Sequence, residues 1–173
     1  MKTFVYITLA LILSACSSPH INDYDNTTPK LILNEFFNGE LLAHGVVLDM
    51  NGKLTRRFSA TISASWADTQ GTLDEKFIYD DGEKQTRIWT LQDLGNGKYQ
   101  GTAGDVMGIA TGQTAGSAFY WKYDLEIKVD GKPIVVTLDD WMYLIDTNNL
   151  INRSKIIKYG LEVGEVILNI RKL

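Results

Sequence analysis

The chain has 173 residues, 45% hydrophobic and 22% charged, with a formal net charge of −4 and one cysteine. That length supports one domain with a substantial core and leaves too little chain for a second. The composition excludes a disordered, collagen-like or disulfide-stapled protein, and the acidic balance argues against a nucleic-acid partner, because phosphate binding needs a basic surface.

Residues 1–15 read as a lipoprotein signal peptide. Lys2 supplies a positive start, and Phe4 to Leu13 are almost unbroken apolar residues. That stretch is roughly half of the ~20 residues a membrane-spanning helix needs. It ends in Leu13-Ser14-Ala15-Cys16, which resembles a bacterial lipobox, with Cys16 as the residue that takes thioether-linked diacylglycerol and palmitate. Several acyl chains anchor a protein stably where one would be marginal. Ser17 stands where an aspartate would favour retention at the inner membrane, so the resemblance points to the periplasmic face of the outer membrane. Residues 16–30 are then expected to be the lipidated cysteine and a polar, flexible tether, spanning roughly 20 Å as a coil.

From Leu31 the pattern turns to β. Residues 31–39 are compatible with one helical turn carrying Phe36 and Phe37 as plugs. Candidate strands follow at 40–49, 53–66, 72–79, 84–92, 98–103, 117–129, 132–146, 149–159 and 162–172, with turn signals such as Asn51-Gly52, Asn96-Gly97 and Asp130-Gly131 between them. Period-2 alternation is clear where Phe119, Trp121, Tyr123, Leu125 and Ile127 share one face opposite Tyr120, Lys122, Asp124, Glu126 and Lys128. The glycines at 101, 104, 108, 112 and 116 mark residues 101–116 as bent or irregular. One apolar face per strand and short hairpins throughout predict a domain over 31–173 that is all-β. A single antiparallel up-and-down barrel of eight to ten strands fits best, with a β-sandwich as the alternative. Charged outward faces exclude a lipid-facing belt.

Standard active-site motifs are missing. There is no Gly-x-Ser-x-Gly, no phosphate loop and no dinucleotide fingerprint, and His20 and His44 cannot build a metal cluster. No cofactor or metal is implied, and the chain reads as a binding protein before an enzyme. His44, among Leu42, Val46 and Leu48, reads as a hydrogen-bonded core histidine. Asp139 and Asp140 are neighbours on a strand and point to opposite faces, so they cannot act as an acid–base pair.

Four charges fall on apolar faces: Glu75 beside Leu73 and Phe77, Arg87 beside Trp89, Asp140 beside Met142, and Arg153 beside Ile151. Inside a barrel they must pair with one another or with a polar ligand, since an isolated buried charge costs several kcal/mol. A self-satisfied network, the polar end of a ligand cavity and a shifted register all remain open. Trp66, Trp89 and Trp121 are consistent with plain core. A cavity walled by Phe77, Tyr79, Trp89, Trp121, Tyr123 and Met142 would instead take a flat or elongated apolar ligand.

Several stretches together resemble the bacterial lipoprotein family called domain of unknown function 3833. They include Glu35-Phe36-Phe37-Asn38-Gly39, Phe77-Ile78-Tyr79-Asp80-Asp81-Gly82, Arg87-Ile88-Trp89, Gly101-Thr102-Ala103, Asp139-Asp140-Trp141-Met142-Tyr143-Leu144, Leu150-Ile151-Asn152-Arg153-Ser154 and Gly160-x-x-Val163-Gly164-Glu165-Val166. The resemblance implies a lipocalin-like (calycin) barrel held to the cell envelope, and supplies no catalytic residues. The chain lacks the C-terminal helix and the first-strand Gly-x-Trp of familiar lipocalins. The leading functional expectation is a lipid-anchored periplasmic barrel that binds a small apolar or amphipathic molecule, such as a fatty acid or membrane lipid. Its ligand-binding residues would be Glu75, Tyr79, Arg87, Trp89, Tyr123, Asp140, Met142 and Arg153, with Arg87 or Arg153 meeting an acidic head. The alternatives are an envelope assembly lipoprotein with a filled barrel, and a lipid-modifying or isomerising enzyme using Asp140, Glu75 or His44.

Overall fold

The computed structural model describes residues 18–129 and 131–173; the expected signal peptide and Cys16 lie outside them. Ten antiparallel strands form one closed barrel: β1 (Gly39–Asp49), β2 (Leu54–Ala67), β3 (Gln70–Tyr79), β4 (Lys84–Asp93), β5 (Lys98–Thr102), β6 (Val106–Ala115), β7 (Ala118–Val129), β8 (Lys132–Leu144), β9 (Asn149–Lys158) and β10 (Leu161–Lys172). Each strand pairs with its neighbours in sequence, and β1 closes on β10 from Leu41↔Lys172 to Asp49↔Gly164. Closure removes the exposed edges that an open sheet would offer to other chains. The barrel of eight to ten strands is therefore realised with ten.

The tenth strand is β6, which the sequence presents as an irregular stretch. Gly108 adopts φ +78°, and the pairing with β7 slips between Met107 and Thr111. An extra residue at such a bulge breaks the period-2 alternation, so the inward face of β6 cannot be read as every second residue.

Cross-strand partners share a face, and this corrects two expected orientations. Asp140 points inward and pairs with Ser154, whereas Arg153 pairs with Trp141 on the outer face. Leu150, Asn152 and Ser154 are consequently the buried side of β9, and Arg153 is exposed in an ion pair with Glu165. The apolar neighbours that made Arg153 look internal are themselves on the outside, and Tyr159 is 91% exposed. His44 is likewise an exposed outer residue, opposite Asn169 and Ser59, because Leu41, Ala43 and Gly45 take the inward positions of β1.

One end of the barrel is closed. A single helical turn, α1 (Leu33–Phe36), drops Leu33, Phe36 and Phe37 into the core, as the two adjacent phenylalanines lead one to expect. Trp66 Nε1 donates to the Phe37 carbonyl at 2.9 Å, and Lys172 Nζ donates to that of Glu35 at 2.7 Å. The polar segment ahead of it departs from the flexible tether expected there. A 3-10 turn over Ile21–Tyr24 buries Ile21 against Ala115, Ala118 and Trp141, and the Tyr24 ring packs 5.7 Å from both Trp141 and Tyr143. Thr27 Oγ1 lies 2.9 Å from Ser117 Oγ and accepts from the Ser117 amide, while the Leu31 amide donates to the Gly116 carbonyl. Residues 20–31 thus form a strap on the outer wall, running to the closed end.

Candidate functional site: a barrel cavity with a charged floor

The barrel interior holds a cavity of about 700 Å³. Phe37, Phe119, Leu73 and Leu91 pack below it, and residues near the β3–β4 and β7–β8 hairpins, among them Glu83, Lys84 and Val129, line its mouth. The mouth is deepened on one side by a notch. Strand β5 pairs with β4 only from Thr90 to Asp93, which leaves Lys84–Trp89 without a ladder partner on that edge. Beyond Glu126, β7 pairs with β8 alone. The gap between these two edges is lined by Gln85, Thr86, Ile127 and Lys128, with Asp105 at its base.

Aromatic rings make the deep wall. Trp89 and Trp121 lie 4.6 Å apart, Tyr123 stands edge-on to Trp89 at 5.3 Å, and Phe119 packs on Trp121 at 5.3 Å. Glycine creates the room for this stack. A Cβ at Gly112 would fall 2.6 Å from both Phe119 and Trp121, and one at Gly101 would fall 2.9 Å from Leu91 and 3.1 Å from Trp121. Nearer the mouth, Phe58, Phe77 and Tyr79 cluster with centroids 5.5–6.4 Å apart, and the Arg56 guanidinium covers the Tyr79 ring at 3.7 Å.

The polar groups are distributed unevenly. Arg87 Nε and Nη2 donate to the Asp105 carboxylate at 2.8–3.0 Å, a bidentate pair, and its Nη1 stands 3.9 Å from Glu75. Burial opposes the charge on Arg87, but Asp105 and Glu75 outweigh it and push its pKa up. Asp140, 3% exposed, accepts from Trp121 Nε1 at 2.9 Å, from the Tyr123 hydroxyl at 3.3 Å and from Asn152 Nδ2. Burial raises its pKa, and these donors, with Ser154, work against the rise. Glu75 has fewer partners: burial pushes its carboxyl up to about 7, helped by the charges of Asp105 and Asp140, against the pull of Arg87 and a hydrogen bond from Trp89. Burial beside Asp140 also holds the Tyr123 hydroxyl protonated well beyond the ordinary tyrosine range.

Seven of the eight expected ligand residues therefore line one cavity: Glu75, Tyr79, Arg87, Trp89, Tyr123, Asp140 and Met142. Arg153 does not. Asp105, Asn152 and Ser154 belong to the site and were not singled out from the sequence. Asp105 sits in a turn with no strand phase to reveal its direction. Asn152 and Ser154 alternate with Leu150 and Ile156, a signal that becomes usable once β9 is phased against β8. Among the described residues no group of three or more His, Cys, Asp or Glu side chains could hold a metal ion, and no helix is long and apolar enough to cross a membrane.

Comparison with solved structures places the architecture. The S-type phycobiliprotein lyase of Guillardia theta is similar, with a TM-score of 0.57 at 9% identity, over 90% of this chain and 99% of that one. A DUF3598-family protein of unknown function from Nostoc punctiforme PCC 73102 is similar over 85% of this chain, with a TM-score of 0.52 at 14% identity. The present chain spans about half (51%) of that second protein. At such identities the likeness is one of fold, a lipocalin-like barrel. A search of curated proteins finds no match. The profile of a protein family of unknown function, DUF3833, matches residues 10–172, essentially the whole chain, and the protein belongs to that family.

Proposed function

We propose that the protein is an envelope lipoprotein, anchored through Cys16 at the periplasmic face of the outer membrane, whose barrel binds a small amphipathic or lipid-like molecule. The observation that carries the binding half is the cavity: about 700 Å³, reached from one end, with an aromatic deep wall and a few convergent polar groups. Ligand sites generally run from roughly 300 to 1,000 Å³ and have this mixture of apolar lining and placed polar groups. A barrel serving only as an assembly scaffold would be expected to fill that space with side chains. The lipobox and Ser17 support the anchor and its address.

The test is native mass spectrometry of the full chain isolated from a bacterial envelope, with lipid extraction of the same sample. The expected result is a stoichiometric mass increment that disappears on extraction and matches one compound class. Clean apo masses from repeated preparations, together with no saturable change in tryptophan fluorescence across a panel of amphiphiles, would overturn the binding reading.

One observation favours a second reading, an isomerising or lipid-modifying enzyme. Glu75 faces the cavity with a carboxyl poised near neutrality, the range a general base needs. Turnover of a cavity-bound lipid that Glu75→Gln abolishes would establish it.

A further inference from the structure

The floor of the cavity departs from what an acidic ligand requires. With Arg153 outside, the charged groups at the floor are three carboxylates, buried Asp140, mostly buried Glu75 and half-exposed Asp105, with the single guanidinium of Arg87. That guanidinium is already committed: Nε and Nη2 are held by Asp105, and the remaining Nη1 faces Glu75. The second arginine on the lining, Arg56 at the mouth, is paired with Asp81 and Glu83 at 2.8–2.9 Å. A carboxylate or phosphate head at the floor would bring a further anion among three and would find no uncommitted cation there.

The carboxylates are not equivalent. Asp105 is neutralised by Arg87, and Asp140 is saturated by Trp121, Tyr123 and Asn152. Glu75 is the least satisfied of the three. Its side chain is 14% exposed, that exposure opens onto the cavity, and it has only weak support within the barrel: the Trp89 indole N–H, and Arg87 Nη1 at 3.9 Å, beyond hydrogen-bonding distance. Beside it stand the Trp89, Trp121 and Tyr123 rings, and aromatic faces attract cations through their quadrupole. A surplus carboxylate and an aromatic wall are two separate features, and both favour positive charge.

We propose that the buried end of the cavity receives a protonated amine, or a comparable N–H-bearing cation, docked on the Glu75 carboxylate beside the Trp89, Trp121 and Tyr123 rings, with the apolar part of the ligand running toward Phe77 and the mouth. The proposal rests on the binding reading above and specifies the class of ligand: a cationic amphiphile and not a fatty acid. The ammonium supplies donors to the Glu75 oxygens, and its charge offsets the excess of carboxylates.

A matched series separates the two ideas. Dodecylamine, dodecan-1-ol and dodecanoic acid share a chain and differ only in the head. Their binding to the purified full chain is followed by tryptophan fluorescence and native mass spectrometry, below the concentration at which each forms micelles or separates from water. The amine is expected to bind at least tenfold more tightly than the alcohol, and the acid more weakly than the alcohol. Glu75→Gln keeps the size of the side chain and removes its charge; it is expected to cost the amine at least tenfold and the alcohol much less, with near-UV circular dichroism showing the same folded barrel. Acid binding as tight as amine binding, or amine binding unaffected by Glu75→Gln, would overturn the inference while leaving the cavity a ligand site. Saturable binding by none of the three would count against the inference and the binding reading together.

Discussion

Glu75 illustrates at the scale of one residue how a site costs stability. Its side chain is mostly buried, its carboxyl is pushed up from 4.5 to about 7, chiefly by burial, and neither Arg87 nor the Trp89 hydrogen bond offsets the rise. The folded protein therefore keeps a proton that the unfolded chain has lost across this interval. Stability tied to Glu75 is fully present below about pH 4.5 and declines as pH rises toward 7, by on the order of 3 kcal/mol if the whole difference is realised. Arg87, Asp105, Asp140 and Tyr123 face the same group, and Asp140, raised in the same direction, adds to the slope. The wild-type melting temperature is thus expected to fall between pH 5 and pH 7.5 by more than that of Glu75→Gln, which should be the more stable of the two at the upper end. Parallel melting curves across that range would show that Glu75 keeps an ordinary carboxyl pKa. An unsaturated carboxylate retained at such a cost is most easily understood as a ligand contact.

At the scale of elements, the strap is where local chemistry decides the outcome. Gly116, in the β6–β7 turn, has φ +49°, and a Cβ there would lie 1.9 Å from the Tyr24 carbonyl oxygen and 2.3 Å from Thr27 Oγ1. Gly116→Ala is therefore expected to lift the strap from the wall while the barrel ladders persist, at a cost of about 1–3 kcal/mol for the strained conformation and lost contacts. Limited proteolysis checks this: new cleavage within residues 18–30, with an intact core fragment, is the expected pattern, and unchanged resistance would refute it. The strap also shows why part of the fold was hidden in the sequence. Ile21 and Tyr24 are isolated apolar residues in a polar run, and only the outward Trp141 and Tyr143 of a distant strand give them a partner. The alternation in β3, β4, β7 and β8 is legible because each keeps a period of two over most of its length, and it locates Glu75 in β3, Arg87 in β4 and Asp140 in β8. The bulge removed that guide for β6. In β9 both faces carry isoleucine, with Ile151 outside and Ile156 inside, so hydrophobicity alone could not set the direction of Arg153. Pairing with β8 sets it.

At the scale of the whole molecule, the strap constrains how an anchored barrel would sit on a membrane. Ile21 is fixed on the wall near the β6–β7 turn, at the closed end, and it follows Cys16 by only five positions. Five extended residues reach at most about 18 Å. The β strands, tilted as in other barrels, set the two rims roughly 25 Å apart. With Cys16 as the anchor, the closed end with α1 lies toward the bilayer, and the mouth between the β3–β4 and β7–β8 hairpins points away from it. Probes on single cysteines check this in proteoliposomes holding the lipidated protein with brominated lipids. A fluorophore at Ile145→Cys, beside the strap on the β8–β9 turn, should be quenched, and one at Met50→Cys, on the β1–β2 turn of the open rim, should not; both positions are exposed. The reverse pattern, or equal quenching, would show that the strap does not set the orientation. If the mouth does face away, the barrel cannot lift a lipid directly out of the leaflet that holds it. Its ligand must then arrive through water or from a partner facing the mouth, and a cationic amphiphile with appreciable solubility fits that route better than a long-chain phospholipid does.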